Sequence, residues 1–176
     1  MSLLQKTGLE LQHLYIKILK KLNSLKGNPK GISKGFATGV AMSFTPFVGF
    51  HILLSLFVAK IFKQNGTAAT LGTIFGNPWT FPFIWYLTLH TGYLILPQKI
   101  ILNSKDFKIF FTKLYHSIIN LDFNLFLNDI WPIFLPMLIG SIPYFILVWW
   151  LVYYMSLKAL SVKDTKGDKY DSRIRV

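Results

Sequence analysis

The chain has 176 residues, of which 52% are hydrophobic and 15% charged, with sixteen Phe, eight Tyr and five Trp. Water-soluble domains carry about 25% charged residues, so this composition excludes an ordinary soluble domain and points to an integral membrane protein. The net charge of +12 would suit nucleic acid, but Lys outnumbers Arg seventeen to two, and few Arg forks means few bidentate phosphate readers. Nucleic acid is therefore not an expected partner.

Position explains the charge better. The basic residues form four groups, Lys6–Lys34, Lys60 and Lys63, Lys99–Lys113, and Lys158–Arg175. Between them lie three uncharged blocks, 35–59, 64–98 and 130–157. A helix needs about 20 apolar residues to cross a bilayer, and Lys beside such a block is the usual signal of orientation. Cysteine is absent, which removes disulfides and thiolate chemistry and is neutral on compartment. The N-terminus lacks the short apolar run and small-residue cleavage site of a secretory signal.

Residues 1–31 read as a basic amphipathic helix and its stop. Leu4, Leu11, Tyr15, Ile18, Leu22 and Leu25 recur at helical spacing, with Lys6, Lys17 and Lys21 largely opposite. Such a helix suits the anionic cytoplasmic leaflet, a partner helix, or the protein's own membrane part. Gly27-Asn28-Pro29-Lys30-Gly31 ends it.

The membrane domain is expected over 32–160. In its first block, Pro46 and Gly49 interrupt any straight helix, because proline removes a donor and clashes with the preceding turn. The expectation is a half-helix, a break, and a helix from about Phe47 to Phe62. The second block repeats this: a short segment Thr67–Phe75, a break at Gly76-Asn77-Pro78-Trp79-Thr80-Phe81-Pro82, and a helix Phe83–Leu96. Paired interruptions of this kind build binding sites in transporters, and they equally describe a Pro-kinked bundle. Lys105–Asp129 carries Phe107, Phe110, Phe111, Leu114, Ile118, Leu121 and Leu125 at helical spacing, a second interfacial helix. Ile130–Leu157 is the clearest span despite Pro132, Pro136 and Pro143, and residues 161–176 read as a polar, disordered tail. The fold expected is all-α and polytopic, with two broken segments that could re-enter, a third span and amphipathic flanks. Basic termini on both sides of three simple spans conflict, and re-entrant hairpins would relieve that; the side of the C-terminus stays open.

The linked motifs Thr45-Pro46-Phe47-Val48-Gly49-Phe50-His51, Lys63-Gln64-Asn65 and Gly76-Asn77-Pro78-Trp79-Thr80-Phe81-Pro82 resemble the prokaryotic membrane family known as domain of unknown function 2062. The likeness runs from about Lys34 to the final span. Carried onto this chain, its pattern marks Pro46, Gly49, His51, Asn65, Asn77, Pro78, Thr80 and Pro82, with Gly92 a further position. Many members carry Gln where His51 stands, which argues against imidazole chemistry there. The resemblance implies a small, multi-pass helical protein of the bacterial cytoplasmic (inner) membrane and brings no activity with it.

The seven acids, Glu10, Asp106, Asp122, Asp129, Asp164, Asp168 and Asp171, all lie outside the three blocks, so a coupled transporter with a buried carboxylate is not expected. Ser43, Thr45, His51, Asn77, Thr80 and His90 are the remaining intramembrane polar candidates. His51 could bind a headgroup or substrate, but capping carbonyls freed at Pro46 is the simpler role. Asn77 could likewise hold a ligand or cap the next helix. Four dispersed His and one Glu offer no metal-ligand spacing and no nucleophile–base pair, so neither an enzyme nor a cofactor is expected. Two functions remain: binding or passage of a small molecule or lipid where the broken helices meet, or a non-catalytic scaffold or accessory subunit that contacts anionic lipid or a partner protein. A second copy of the chain stays open as an associate.

Overall fold

The structure is a computed structural model that describes residues 13, 16–47, 49–96, 112–113, 115–117 and 119–174, with side chains described as far as Ser161. Every regular element among these residues is helical. In chain order they are α1 (Pro29–Met42), α2 (His51–Ile61), α3 (Gly66–Gly72) continued by a single 3-10 turn (Thr73–Phe75), α4 (Phe81–Ile95) and α5 (Trp131–Ile174). A short turn at Phe123–Leu125 and a π-turn at Phe126–Ile130 lead into α5. The chain divides into two compact units, one of residues 1–42, 50–75 and 148–176, the other of 43–49 and 76–147.

In the first unit, residues 16–23 are helical and the chain turns through 24–28. The Gly27–Gly31 stretch both ends that helix and starts the next. Asn28 accepts the Gly31 N–H through its side chain, and Pro29 follows at the first helical position, where its missing N–H is harmless. Nine of the fourteen α1 residues are buried, chiefly Gly, Ala, Ser, Thr and Val. α1 packs on α3 backbone to backbone: a Cβ added at Gly39 would lie closer than 3.0 Å to the Ala69 carbonyl and to the Gly72 Cα. Leu22, Ile32, Ala68 and Leu160 form a buried core in this unit.

In the second unit, α4 lies antiparallel to the first half of α5. Gly92 meets the Pro136 backbone and Gly140 meets the Thr88 carbonyl, each nearer than any Cβ could come. Ile84, Trp85, Leu89 and Met137 form the core beside them, and Thr91 and Tyr144 share a hydrogen bond of 2.9 Å. The 43–49 segment is pinned to α5 by Phe44 stacked on Tyr144 and Phe47 edge-on to Phe134.

Several expectations change. The first break is longer than the sequence suggested, since the second half-helix begins at His51 instead of about Phe47; Phe44 and Phe47 are held by ring contacts, and Gly49 takes φ +84, so the chain cannot coil until it has passed them. Residues 161–174 continue α5 as helix, where a disordered tail was expected. No proline follows Pro143, and a helix already nucleated extends at little cost per residue. The helix expected over Lys105–Asp129 is interrupted at Leu121, whose φ of 50 is left-handed, and Asp122 caps a new start through the Leu125 N–H. The stretches 1–12 and 97–111, including the start of the expected N-terminal helix and Phe107, Phe110 and Phe111, lie outside the described residues.

Among the described residues one helix, within Phe123–Ser161, is long and apolar enough to cross a membrane; its mean hydropathy is 1.9 and 22% of its apolar window is buried in the protein. α1, α2 and α4 have 14, 11 and 15 residues. At 1.5 Å per residue these are about 21, 16 and 22 Å long, each short of a ~30 Å hydrocarbon core.

Candidate functional site

The eight residues marked by the motifs fall into two places. Pro46, Gly49, Asn77, Pro78, Thr80 and Pro82 belong to the second unit, whereas His51 and Asn65 belong to the first.

In the second unit the two breaks adjoin: a Cβ at Gly76 would stand 2.7 Å from Ser43 Oγ, so only glycine fits where the segments touch. Ser43, Thr45 and Pro46 are buried, and Asn77 and Thr80 are half-buried. Asn77 and Thr80 hold each other's backbone. Asn77 Oδ1 accepts the N–H groups of Trp79 and Thr80 at 3.0 and 3.1 Å. Thr80 Oγ1 accepts the Asn77 N–H at 3.0 Å and donates to the Asn77 carbonyl at 3.1 Å. Asn77 also offers its carbonyl to the Phe81 N–H, and Pro82 sits in the first turn of α4, where it needs no donor. The Asn-Pro-Trp-Thr-Phe-Pro stretch is thus a self-satisfied helix start. Trp79 projects from it 93% exposed.

In the first unit, Asn65 joins three segments. Its Oδ1 caps α3 by accepting the Ala68 N–H at 2.8 Å, its Nδ2 donates to the Lys26 carbonyl at 3.0 Å, and its own N–H donates to the Gly31 carbonyl. Just before it, Lys63 takes the left-handed conformation, φ 50, while Gln64 N–H reaches back to the Ala59 carbonyl at 2.7 Å; this is a Schellman end to α2. His51 opens α2, is 7% exposed and interacts with a neighbouring group. His90 is exposed and stacks on Tyr86.

A polar chain that the sequence reading missed lies in this unit. Trp149 Nε1 donates to Thr38 Oγ1 at 3.0 Å, and Thr38 donates on to Gln64 Oε1 at 2.7 Å. The one available signal was Gln64, an amide at the edge of an uncharged block; its partners stand 26 residues before it and 85 after. Among the described residues no group of three or more His, Cys, Asp or Glu gathers to hold a metal.

Fold and site together define a class: an all-helical protein whose Pro/Gly-interrupted helices are fastened by their own Asn, Thr and Gln side chains, with one long apolar helix among the described residues. Within that class the chain belongs to the bacterial family described as "Uncharacterized protein conserved in bacteria (DUF2062)", which matches residues 12–167. No curated protein and no solved structure matches it.

Proposed function

We propose that this chain is a multi-pass protein of the bacterial cytoplasmic (inner) membrane that acts as a non-catalytic scaffold or accessory subunit, its basic ends resting on anionic lipid. The reciprocal Asn77–Thr80 arrangement carries the reading: the polar atoms best suited to hold a solute are engaged in holding a helix start.

The bilayer setting has separate support. Small residues fill the interior and large apolar ones face outward, among them Leu53, Phe57, Phe83, Leu94, Ile146 and Leu147. Water drives large side chains inward, whereas lipid supplies no such drive and helices there meet through small residues. α5 crosses the bilayer. α1 and α2, about 21 and 16 Å long and neighbours within one unit, form a hairpin that enters and leaves on one side, a re-entrant element. In such an element the freed backbone groups must find partners within protein, as hydrocarbon requires.

A second reading, binding or passage of a small molecule or lipid at the breaks, is favoured by one observation: the two breaks meet at Ser43 and Gly76 in a single unit. Single cysteines at Asn77 and Thr80, introduced into the Cys-free chain, separate the two. The scaffold reading expects both to resist a membrane-impermeant thiol reagent in intact cells and in inverted vesicles. Labelling of both from either side would refute it in favour of passage. Release of the protein from membranes by alkaline carbonate would refute the membrane setting itself.

A further inference from the structure

We infer that three of the four basic groups assemble into one collar on the cytoplasmic face, built to contact the phosphates of anionic lipid headgroups, and that the chain after Leu160 lies on that same face. The inference rests on the membrane reading above and adds to it the side of the C-terminus and the lipid chemistry recognised.

Sequence separates these groups widely, and the first unit reunites them. Asn65 binds the Lys26 and Gly31 backbones, which brings the start of α1, with Lys30, to the end of α2, with Lys60 and Lys63. Leu160 packs with Leu22, Ile32 and Ala68, which brings Lys158 and Lys21 to the same place. A second tie fixes the direction of α5: Trp149, eleven residues before Leu160, bonds Thr38, six residues after Ile32. The stretch of α5 from Trp149 to Leu160 therefore runs antiparallel to α1 and brings Leu160 beside the start of α1.

Lys21, Lys26, Lys30, Lys60, Lys63 and Lys158 are all exposed. Among the described side chains of this unit there is no carboxylate to neutralise them. By contrast, Lys113 of the third group is paired with Asp129 at 2.9 Å. Lys63 adds an independent indication. It occupies a left-handed position where glycine is favoured and a β-carbon is strained, and strain kept at a charged, exposed side chain points to a use for the charge. Exposed Lys at a span end faces the cytoplasm and is drawn to anionic headgroups.

Single cysteines at Asn23, Lys63 and Ser161 test the shared face, with one at Leu121 reporting the far end of α5. All four positions are exposed. The expected result is impermeant labelling of the first three only in inverted vesicles and of Leu121→Cys only in intact cells. Labelling of Lys63→Cys and Ser161→Cys from opposite sides would overturn the collar, and labelling of both from outside would overturn its cytoplasmic placement. For the lipid, the full chain is purified from membranes containing phosphatidylglycerol and phosphatidylethanolamine, and the bound lipid is quantified by mass spectrometry. Lys26→Gln, Lys63→Gln and Lys158→Gln combined should reduce phosphatidylglycerol enrichment on the order of tenfold, while Lys99→Gln with Lys108→Gln should leave it intact. Equal enrichment in both variants and wild type would overturn the headgroup contact even where the shared face holds. A carbonate-soluble chain would instead refute the membrane setting beneath it.

Discussion

Asn65→Ala removes two side-chain bonds and leaves the backbone ones in place. The lost cap to Ala68 N–H, 2.8 Å long, is worth about 1 kcal/mol. The lost bond to the Lys26 carbonyl, 3.0 Å long at an exposed position, is worth about 0.5–1 kcal/mol, because water can take over that carbonyl. The N–H bond to Gly31 and the carbonyl bond from Ala69 survive. The total is about 1.5–2 kcal/mol, which for a chain of this size lowers Tm by roughly 3–8 °C. Asn65→Asp isolates the cap: it keeps the acceptor, adds a charge favourable to a helix N-terminus, and loses only the donor, so it should cost about 0.5 kcal/mol or less. Thermal unfolding of the full chain in lipid nanodiscs, followed by Trp fluorescence, measures both. If Asp proves as damaging as Ala, or Ala leaves Tm unchanged, Asn65 is not the fastening described.

Other expectations follow from the same contacts. Gly39→Val and Gly140→Val each force a side chain into neighbouring backbone and should destabilise by about 3 kcal/mol, the upper end of overpacking costs, read as lost monodisperse yield and lowered Tm. Lys63→Gly relieves a left-handed side-chain position and should raise stability by about 1 kcal/mol; a loss would mean the Lys side chain holds the fold. Asn77→Ala and Thr80→Ala should cost about 1 kcal/mol each, and the double variant less than their sum, because each holds the other's backbone; strict additivity in a double-mutant cycle would contradict the reciprocal geometry. Trp149→Phe should cost about 1 kcal/mol, and in a Thr38→Val background almost nothing further.

Local devices were legible in the sequence, and distant pairings were not. Asn77-Pro78-Trp79-Thr80 and Asn28-Pro29 act on backbone within three residues of themselves, so residue type and order suffice to reveal them. Pro46 with Gly49 announced a break, but its length depended on Phe44 and Phe47 finding Tyr144 and Phe134, 100 and 87 residues on. Thr38, Gln64 and Trp149 carry no common motif; each is unremarkable until the chain folds. The C-terminal stretch misled because its polar composition matches a disordered segment, while the backbone simply continues a helix begun at Trp131. His51 was grouped with Asn77 through motif order alone, and the two belong to different units.

The interior of α1 has a thermodynamic corollary. Gly35, Ala37, Gly39 and Ala41 have almost no rotamers to surrender, whereas a Leu or Met in their places would forfeit roughly 0.5–2 kcal/mol of side-chain freedom on docking. Where the surrounding medium offers no solvophobic push, association is decided by what it forfeits as much as by what it gains. α1 and α3 can therefore come together on dispersion and a few hydrogen bonds, because so little disorder has to be extinguished for them to do so.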